Sequence, residues 1–190
     1  MTQGEIVIFK DKQLGFFIYL GVETIMFATL FATYMIFTPA EKGPHPADIF
    51  EWKTLLLSSF FLLSSSGTLM MSEKGLRSGR KGLLVLGLFI TLLFGMTFLG
   101  LEILEFSSYL QQGYGTSASV FFGSFYVLVG LHAAHVAFGV GWMGMLFLQL
   151  GREKHAASFE QKHRIFSYYW HFVDVIWIGI MVIVYIPYLL

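Results

Sequence analysis

Five long apolar stretches, joined by short polar or turn-forming segments, account for the chain from Leu14 to its end. Leu14–Phe37 carries one charged residue, Glu23. Thr54–Met71 is uncharged and dotted with Ser58, Ser59, Ser64, Ser65, Ser66 and Gly67, small residues of the kind that let helices approach closely in a membrane. Gly82–Phe106 is apolar until Glu102 and Glu105. Ser119–Leu150 contains His132 and His135 and is longer than one bilayer needs, which predicts a tilt or a projecting end. Ile165–Leu190 holds His171 and Asp174. At ~1.5 Å per helical residue each run is long enough to cross a hydrocarbon layer of ~30 Å. The pattern predicts an all-α integral membrane protein, one transmembrane domain over residues 1–190, with five spans near 14–37, 54–71, 82–106, 119–150 and 165–190.

The segments between are read as loops. Residues 38–53 contain Pro39, Gly43, Pro44 and Pro46. Ser72–Lys81 is short and basic, 107–118 polar and uncharged, and Gly151–Arg164 charged. Residues 1–13 are too short to fold alone, and nothing in the chain reads as a targeting segment to be removed.

Composition agrees. Of 190 residues 56% are hydrophobic and only 13% charged, against ~25% charged in a soluble domain. A formal net charge of zero gives no bulk attraction to nucleic acid, and the absence of cysteine rules out disulfides and thiolate metal sites. Neither an internal repeat nor a proline within a span, other than Pro187 at the very end, marks an inverted-repeat transporter. The basic residues sort by side: Lys10, Lys12, Lys74, Arg77, Arg80, Lys81, Arg152, Lys154, Lys162 and Arg164 on one, Lys42 and Lys53 on the other. The positive-inside rule then places the N-terminus in the cytoplasm and the C-terminus outside. Tyr168, Tyr169 and Trp170 would form an inner aromatic belt, Trp52, Tyr185 and Tyr188 an outer one.

An ionisable side chain at mid-membrane costs ~2.5–3.5 kcal/mol on insertion scales, so such groups need partners. Glu23 lies about 13 Å along the first span from its inner end, and His171 and Asp174 about 9–14 Å along the fifth. Matched depth makes a shared cluster of Glu23, His171 and Asp174 sterically feasible, and His132 or His135 is expected to reach the Glu23 level. In the fourth span Gly123, Gly130, Ala134, Ala137, Gly141 and Gly144 form one narrow stripe, with the two histidines about 170° away. A close backbone partner is expected on the stripe and a polar one on the histidine face. Val127, Leu131, Phe138, Trp142 and Met145 make a bulky side suited to lipid or another subunit.

Three readings compete. In the first, the polar cluster Glu23, His132, His135, His171 and Asp174 fixes the fold of a non-catalytic membrane subunit, and Glu102 and Glu105, at the outer end of their helix, are solvated or lie at an interface. The second is a di-metal helical bundle, which would place a Glu-x-x-His motif on each of two helices. Here there are Glu-x-x-Glu, His-x-x-His and His-x-x-Asp instead. The third is a proton or ion carrier using Glu23. Lys162 and Arg164 at the inner mouth of the fifth span are positive-inside residues that could also hold lipid phosphates.

Three stretches resemble subunit III of the haem-copper oxidases, the cytochrome c and quinol oxidase superfamily. Leu20-Gly21-Val22-Glu23-Thr24-Ile25-Met26-Phe27 resembles its membrane glutamate motif. Phe125 to Val136, with His132-Ala133-Ala134-His135, resembles its paired-histidine helix, and Tyr169-Trp170-His171-Phe172-Val173-Asp174-Val175-Ile176-Trp177 its last helix. Glu102-Ile103-Leu104-Glu105-Phe106 fits the acidic end of the intervening helix more loosely. The resemblance implies a multi-pass subunit of the bacterial plasma membrane with no haem, copper or other redox centre of its own, the haem and copper belonging to partner subunits. It implies packing on subunit I, company with subunit II and a small subunit IV, bound phospholipid, support of proton uptake and protection against turnover inactivation. Glu23 matches the family's carbodiimide-reactive position. Longer members have seven spans, and these five correspond to the last five.

Overall fold

The computed structural model describes residues 3–38, 52–150 and 156–189. The proline-rich joint at 39–51 and the segment 151–155 lie outside the described residues, and with them Lys42, Arg152 and Lys154.

The described chain is helical almost throughout: α1 (Gln3–Ile36), α2 (Trp52–Arg77), α3 (Lys81–Gln111), α4 (Val120–Leu150) and α5 (Ala156–Ile180), then a π-helical turn (Met181–Tyr185) and a last turn α6 (Ile186–Leu189). Five stretches are long and apolar enough to cross a membrane. Several helices outrun the apolar runs. No proline or turn pair stops α1 before Gln3, and α5 starts at Ala156, so part of the expected loop 151–164, including Lys162 and Arg164, is helical. The helix α2 continues past Met71 to Arg77 because Ser72 and Gly75 are buried against α3.

Both ends of α3 show why the joints are short. After α2, Gly79 takes φ +66°, Arg80 N–H donates to the Gly75 carbonyl (2.9 Å) and Gly79 N–H to that of Leu76 (3.3 Å). After α3, Gly113 takes φ +86°, Tyr114 N–H donates to Tyr109 (2.9 Å) and Gly113 N–H to Leu110 (3.1 Å). Each is a Schellman stop, which needs a left-handed residue and so uses glycine. The first folds α3 straight back along α2. The two backbones then nearly touch: a Cβ at Gly75 would lie 2.4 Å from the Leu84 nitrogen, and one at Gly87 2.6 Å from the Ser72 nitrogen.

The helices α2, α3, α4 and α5 pack as a four-sided ring, each against the next, and α1 docks outside it on α4 and α5. Inside the ring sits Trp170. Its indole is fully buried, lies against Gly95 of α3 and Gly139 of α4, and donates to Ser65 Oγ of α2 (2.8 Å). Cβ atoms at Gly95 and Gly139 would come within 2.9 and 2.6 Å of that ring. The expected aromatic belts are corrected here: Tyr169, Trp170 and Tyr185 are core residues, at most 1% exposed, whereas Trp52 is 56% exposed. They are buried because all three lie on ring-facing sides of α5 and its extension.

The small stripe of α4 is a second correction. Ala134, Ala137 and Gly141 are exposed, and a Cβ at Gly141 or Gly144 would meet nothing within 4 Å. Close approach on α4 occurs instead at Gly139, where a large ring rather than a backbone fills the space. The π-helical turn also has a local cause. Pro187 has no N–H, and its ring would press on the carbonyl four residues back in a regular helix. The wider turn relieves that, with Ile186 N–H bonding Met181 five residues back. The Tyr34 hydroxyl of α1 reaches the Val184 carbonyl there (3.5 Å).

Candidate functional site: three groups of intramembrane polar residues

The polar residues singled out from the sequence are not one cluster. They fall into three groups, each between different helices.

The first joins α1 to α4. Glu23 Oε2 lies 3.2 Å from His135 Nε2, and the side chains are only 16% and 13% exposed. His135 Nδ1 lies 2.8 Å from the Leu131 carbonyl. A carbonyl only accepts, so Nδ1 carries a proton. The contact at Nε2 therefore holds one further proton, either on the imidazole, facing a carboxylate, or on the carboxyl group, facing a bare nitrogen. In both arrangements the pair is electrically neutral overall, which makes it tolerable in hydrocarbon. Phe27 packs edge-on against His135 (5.1 Å between centroids), and the Tyr169 hydroxyl donates to the His135 carbonyl (2.9 Å). So His135 meets Glu23, and His132 does not.

The second group joins α5 to α2, not to α1. Ser66 Oγ lies 2.9 Å from His171 Nδ1 and donates to Asp174 Oδ2. A hydroxyl has one proton, and the carboxylate takes it, so His171 must donate from Nδ1 to Ser66. The chain of donation runs His171, Ser66, Asp174. Depth matching alone paired His171 and Asp174 with Glu23. That pairing fails because α5 turns this face to α2, and among the described residues no hydrogen bond links Glu23 to either residue. Ser66→Ala should expose the cost of breaking this bridge: about 1–3 kcal/mol for leaving a buried acceptor short of its donor. It is read as a lower midpoint of thermal unfolding of the purified protein, and an unchanged midpoint would refute the bridge.

This bridge belongs to a longer polar seam that sequence reading missed. Down α5, His163, Trp170 and Trp177 recur every seven residues. On α2 they meet Ser72, Ser65 and Ser59 in reverse order. His163 Nε2 lies 2.9 Å from Ser72 Oγ, and the Trp170 and Trp177 indoles donate to Ser65 (2.8 Å) and Ser59 (3.0 Å). Ser167 donates to Glu73 at the same end as His163. The seven-residue spacing on α5, met on α2 by partners seven and then six residues apart, keeps the seam on one face of each helix. The seam also fixes topology: the C-terminal end of α2 meets the N-terminal end of α5, as five alternating crossings require.

The third group lies inside the ring. His132 is fully buried, stacked on Trp177 (5.3 Å, 23°) and edge-on to Phe98 (6.0 Å), with neither ring nitrogen hydrogen-bonded among the described residues. One turn along α3 from Phe98, Glu102 is 1% exposed and Glu105 7% exposed. The expectation of solvated or interfacial carboxylates is thus corrected. The helix runs on to Gln111, so both glutamates point into the bundle about two to three turns before its end. Tyr109 donates to Glu105. Lys162, at the start of α5, donates to Gln149 Oε1 (3.1 Å), tying α5 to the end of α4, and Arg164 is exposed.

Among the described residues no three or more His, Cys, Asp or Glu side chains converge as metal ligands would. Geometry and composition together define a five-span helical membrane protein whose polar side chains mostly join its own helices. Comparison with known proteins makes this specific. The family described as Cytochrome c oxidase subunit III matches residues 2–188. Cytochrome c oxidase subunit 3 of Bacillus sp. (strain PS3) is 37% identical over 178 residues, 93% of this chain and 86% of that protein. Quinol oxidase subunit 3 of Bacillus subtilis (strain 168) is 38% identical over 91% of this chain and 85% of its own length. Cytochrome bo(3) ubiquinol oxidase subunit 3 of Pseudomonas aeruginosa is 36% identical over 90% and 83%. The chain belongs to the cytochrome c oxidase subunit III family. It is accordingly an accessory, multi-pass subunit of a terminal oxidase complex in a bacterial plasma membrane, working beside other oxidase subunits.

Proposed function

We propose that this subunit packs against the redox-active subunit I, with the N-terminus in the cytoplasm, and that its Glu23–His135 pair holds a proton at the subunit's flank where it supports proton uptake by the neighbour. The observation that carries this is the 3.2 Å contact between Glu23 Oε2 and His135 Nε2, on the α1–α4 side of the ring rather than inside it. A proton there can change owner without leaving net charge in the membrane. Apart from Tyr19, which is exposed beside Glu23 and hydrogen-bonds it, the flank is mostly apolar: Phe17, Ile18, Val22 and Ile25 of α1 are exposed, as are Val127, Phe138 and Met145 of α4. Such a surface suits a partner subunit or lipid. Phospholipid headgroups would find Arg164 and Lys162 at the basic end, where Lys74, Arg77, Arg80 and Lys81 also gather. The His171–Ser66–Asp174 bridge holds α5 to α2 and needs no part in proton handling.

The test uses the assembled oxidase. Glu23→Gln keeps a hydrogen bond to His135 but removes the carboxyl proton, and His135→Phe keeps the packing against Phe27 but removes the base. Both should slow proton uptake during turnover and leave the haem spectrum intact, and His135→Phe should also change the rate of carbodiimide labelling at Glu23, whereas His132→Phe should not. Unaltered uptake in both variants would refute the role. Unaltered labelling in His135→Phe would refute the pairing itself.

A further inference from the structure

Both oxygens of Glu102 and both ring nitrogens of His132 are buried in the ring and make no hydrogen bond among the described residues. Phe98 links them: its ring is 6.0 Å from His132 and 4.9 Å from Trp177, and Glu102 follows it by one turn on the same helix, a rise of ~6 Å. Toward the Gln112 end, Glu105 sits a further turn along, bonded by Tyr109. Beyond it lies a surface cavity of about 250 Å³ lined by Thr54, Glu105, Ser108, Tyr109 and Gln112 among others. Glu105 on the cavity wall, Glu102 and Phe98 thus follow one another at one-turn steps along α3, and the Phe98 ring meets His132.

We propose that this series is a blind, water-filled spur: ordered water molecules enter by the cavity at Glu105 and Tyr109 and bridge Glu102 to His132 between α3, α4 and α5. Buried polar atoms in folded proteins are almost always satisfied, and internal water commonly does this where protein groups do not. Water suits both ends. It donates to the Glu102 oxygens, and with an imidazole it donates to one nitrogen and accepts from the other. A divalent cation of the calcium class would want six or more oxygen ligands, and the described residues offer no convergence of three or more carboxylate or histidine ligands. The spur ends at His132. Beyond it the Trp177 and Trp170 indoles spend their only protons on Ser59 and Ser65, and an indole N–H donates without accepting. A proton can enter the spur and return but finds no relay through the two tryptophans. This proposal does not rest on the Glu23–His135 role: His132, one turn from His135 on α4, meets Phe98 and Trp177 rather than Glu23.

A high-resolution cryo-electron microscopy map of the assembled oxidase in lipid nanodiscs tests it. Discrete water density is expected at hydrogen-bond distance from Glu102 and from a His132 nitrogen. In Glu102→Met and His132→Phe the density beside the replaced residue should vanish. Hydroxyl-radical footprinting provides a readout that survives partial assembly. Trp177 and Phe98 should be oxidised despite full burial, because radicals form on the water beside them, and Glu102→Met should lose that labelling. A dry cavity, a direct bond from Glu102 or His132 to another protein group, a single ion ringed by oxygen ligands, or unlabelled Trp177 and Phe98 would each overturn the spur.

Discussion

Trp170→Ala should be among the most damaging single substitutions in this subunit, at about 3–5 kcal/mol for deleting a large buried ring. The ring fills the space that Gly95 and Gly139 leave open on two helices, and its N–H satisfies Ser65 on a third. Alanine there leaves a cavity that none of the three can close without moving its backbone. In a membrane this loss is chiefly one of van der Waals packing, because lipid tails compete for apolar surface as well as a neighbouring helix does. The expected readout is a subunit lost from the purified complex, or a complex whose thermal midpoint falls sharply. Trp170→Phe separates the two contributions. It keeps most of the ring and drops only the donor to Ser65, a loss of about 1 kcal/mol. Equal damage by both variants would show that the hydrogen bond, not the packing, matters.

Gly87→Ala should come next, at about 1–3 kcal/mol or more for forced overpacking. Its methyl would sit 2.6 Å from the Ser72 nitrogen and 2.8 Å from the Ser72 Cα, and backbone atoms cannot rotate away. Relief requires α2 and α3 to separate. Ser72 on the moved helix also pairs with His163, so the strain passes directly into the seam that holds α5. Gly100→Ala is the control, since a Cβ there meets nothing within 4 Å. The midpoint of thermal unfolding should fall for Gly87→Ala and hold for Gly100→Ala. Equal midpoints would mean that the α2–α3 contact is looser than the structure shows.

The polar residues were legible in the sequence as a set, because ionisable groups in apolar runs are conspicuous. Who pairs with whom was not. Glu23, His171 and Asp174 lie at matching depths, yet depth fixes only one coordinate. The rotation of α5 about its axis, which turns His171 and Asp174 to Ser66, is decided by Trp170 and Trp177 seating between other helices. The small stripe of α4 misled for a related reason. Small residues permit close approach but do not compel it, and here Gly139, outside the stripe, receives the Trp170 ring. Glu102 and Glu105 looked peripheral because the apolar run stops at Phe106, whereas the helix itself continues to Gln111 and carries both inward.

What the sequence determined by itself was the number of crossings, their helical character, the polar residues within them and, through three matching stretches, the family. These depend on hydropathy and local order along the chain, where each residue speaks for itself: with no water to satisfy the backbone, an apolar run of this length must be helical. Only the tertiary structure decided that Glu23 faces His135, that His171 and Asp174 share Ser66, and that Glu102 and His132 are buried with no hydrogen-bond partner among the described residues. Those contacts bridge about a hundred residues of chain or cross between helices, and they hang on the rotation of each helix about its own axis. That rotation is set by side chains packing on several neighbours at once, and no periodicity along a single helix encodes it.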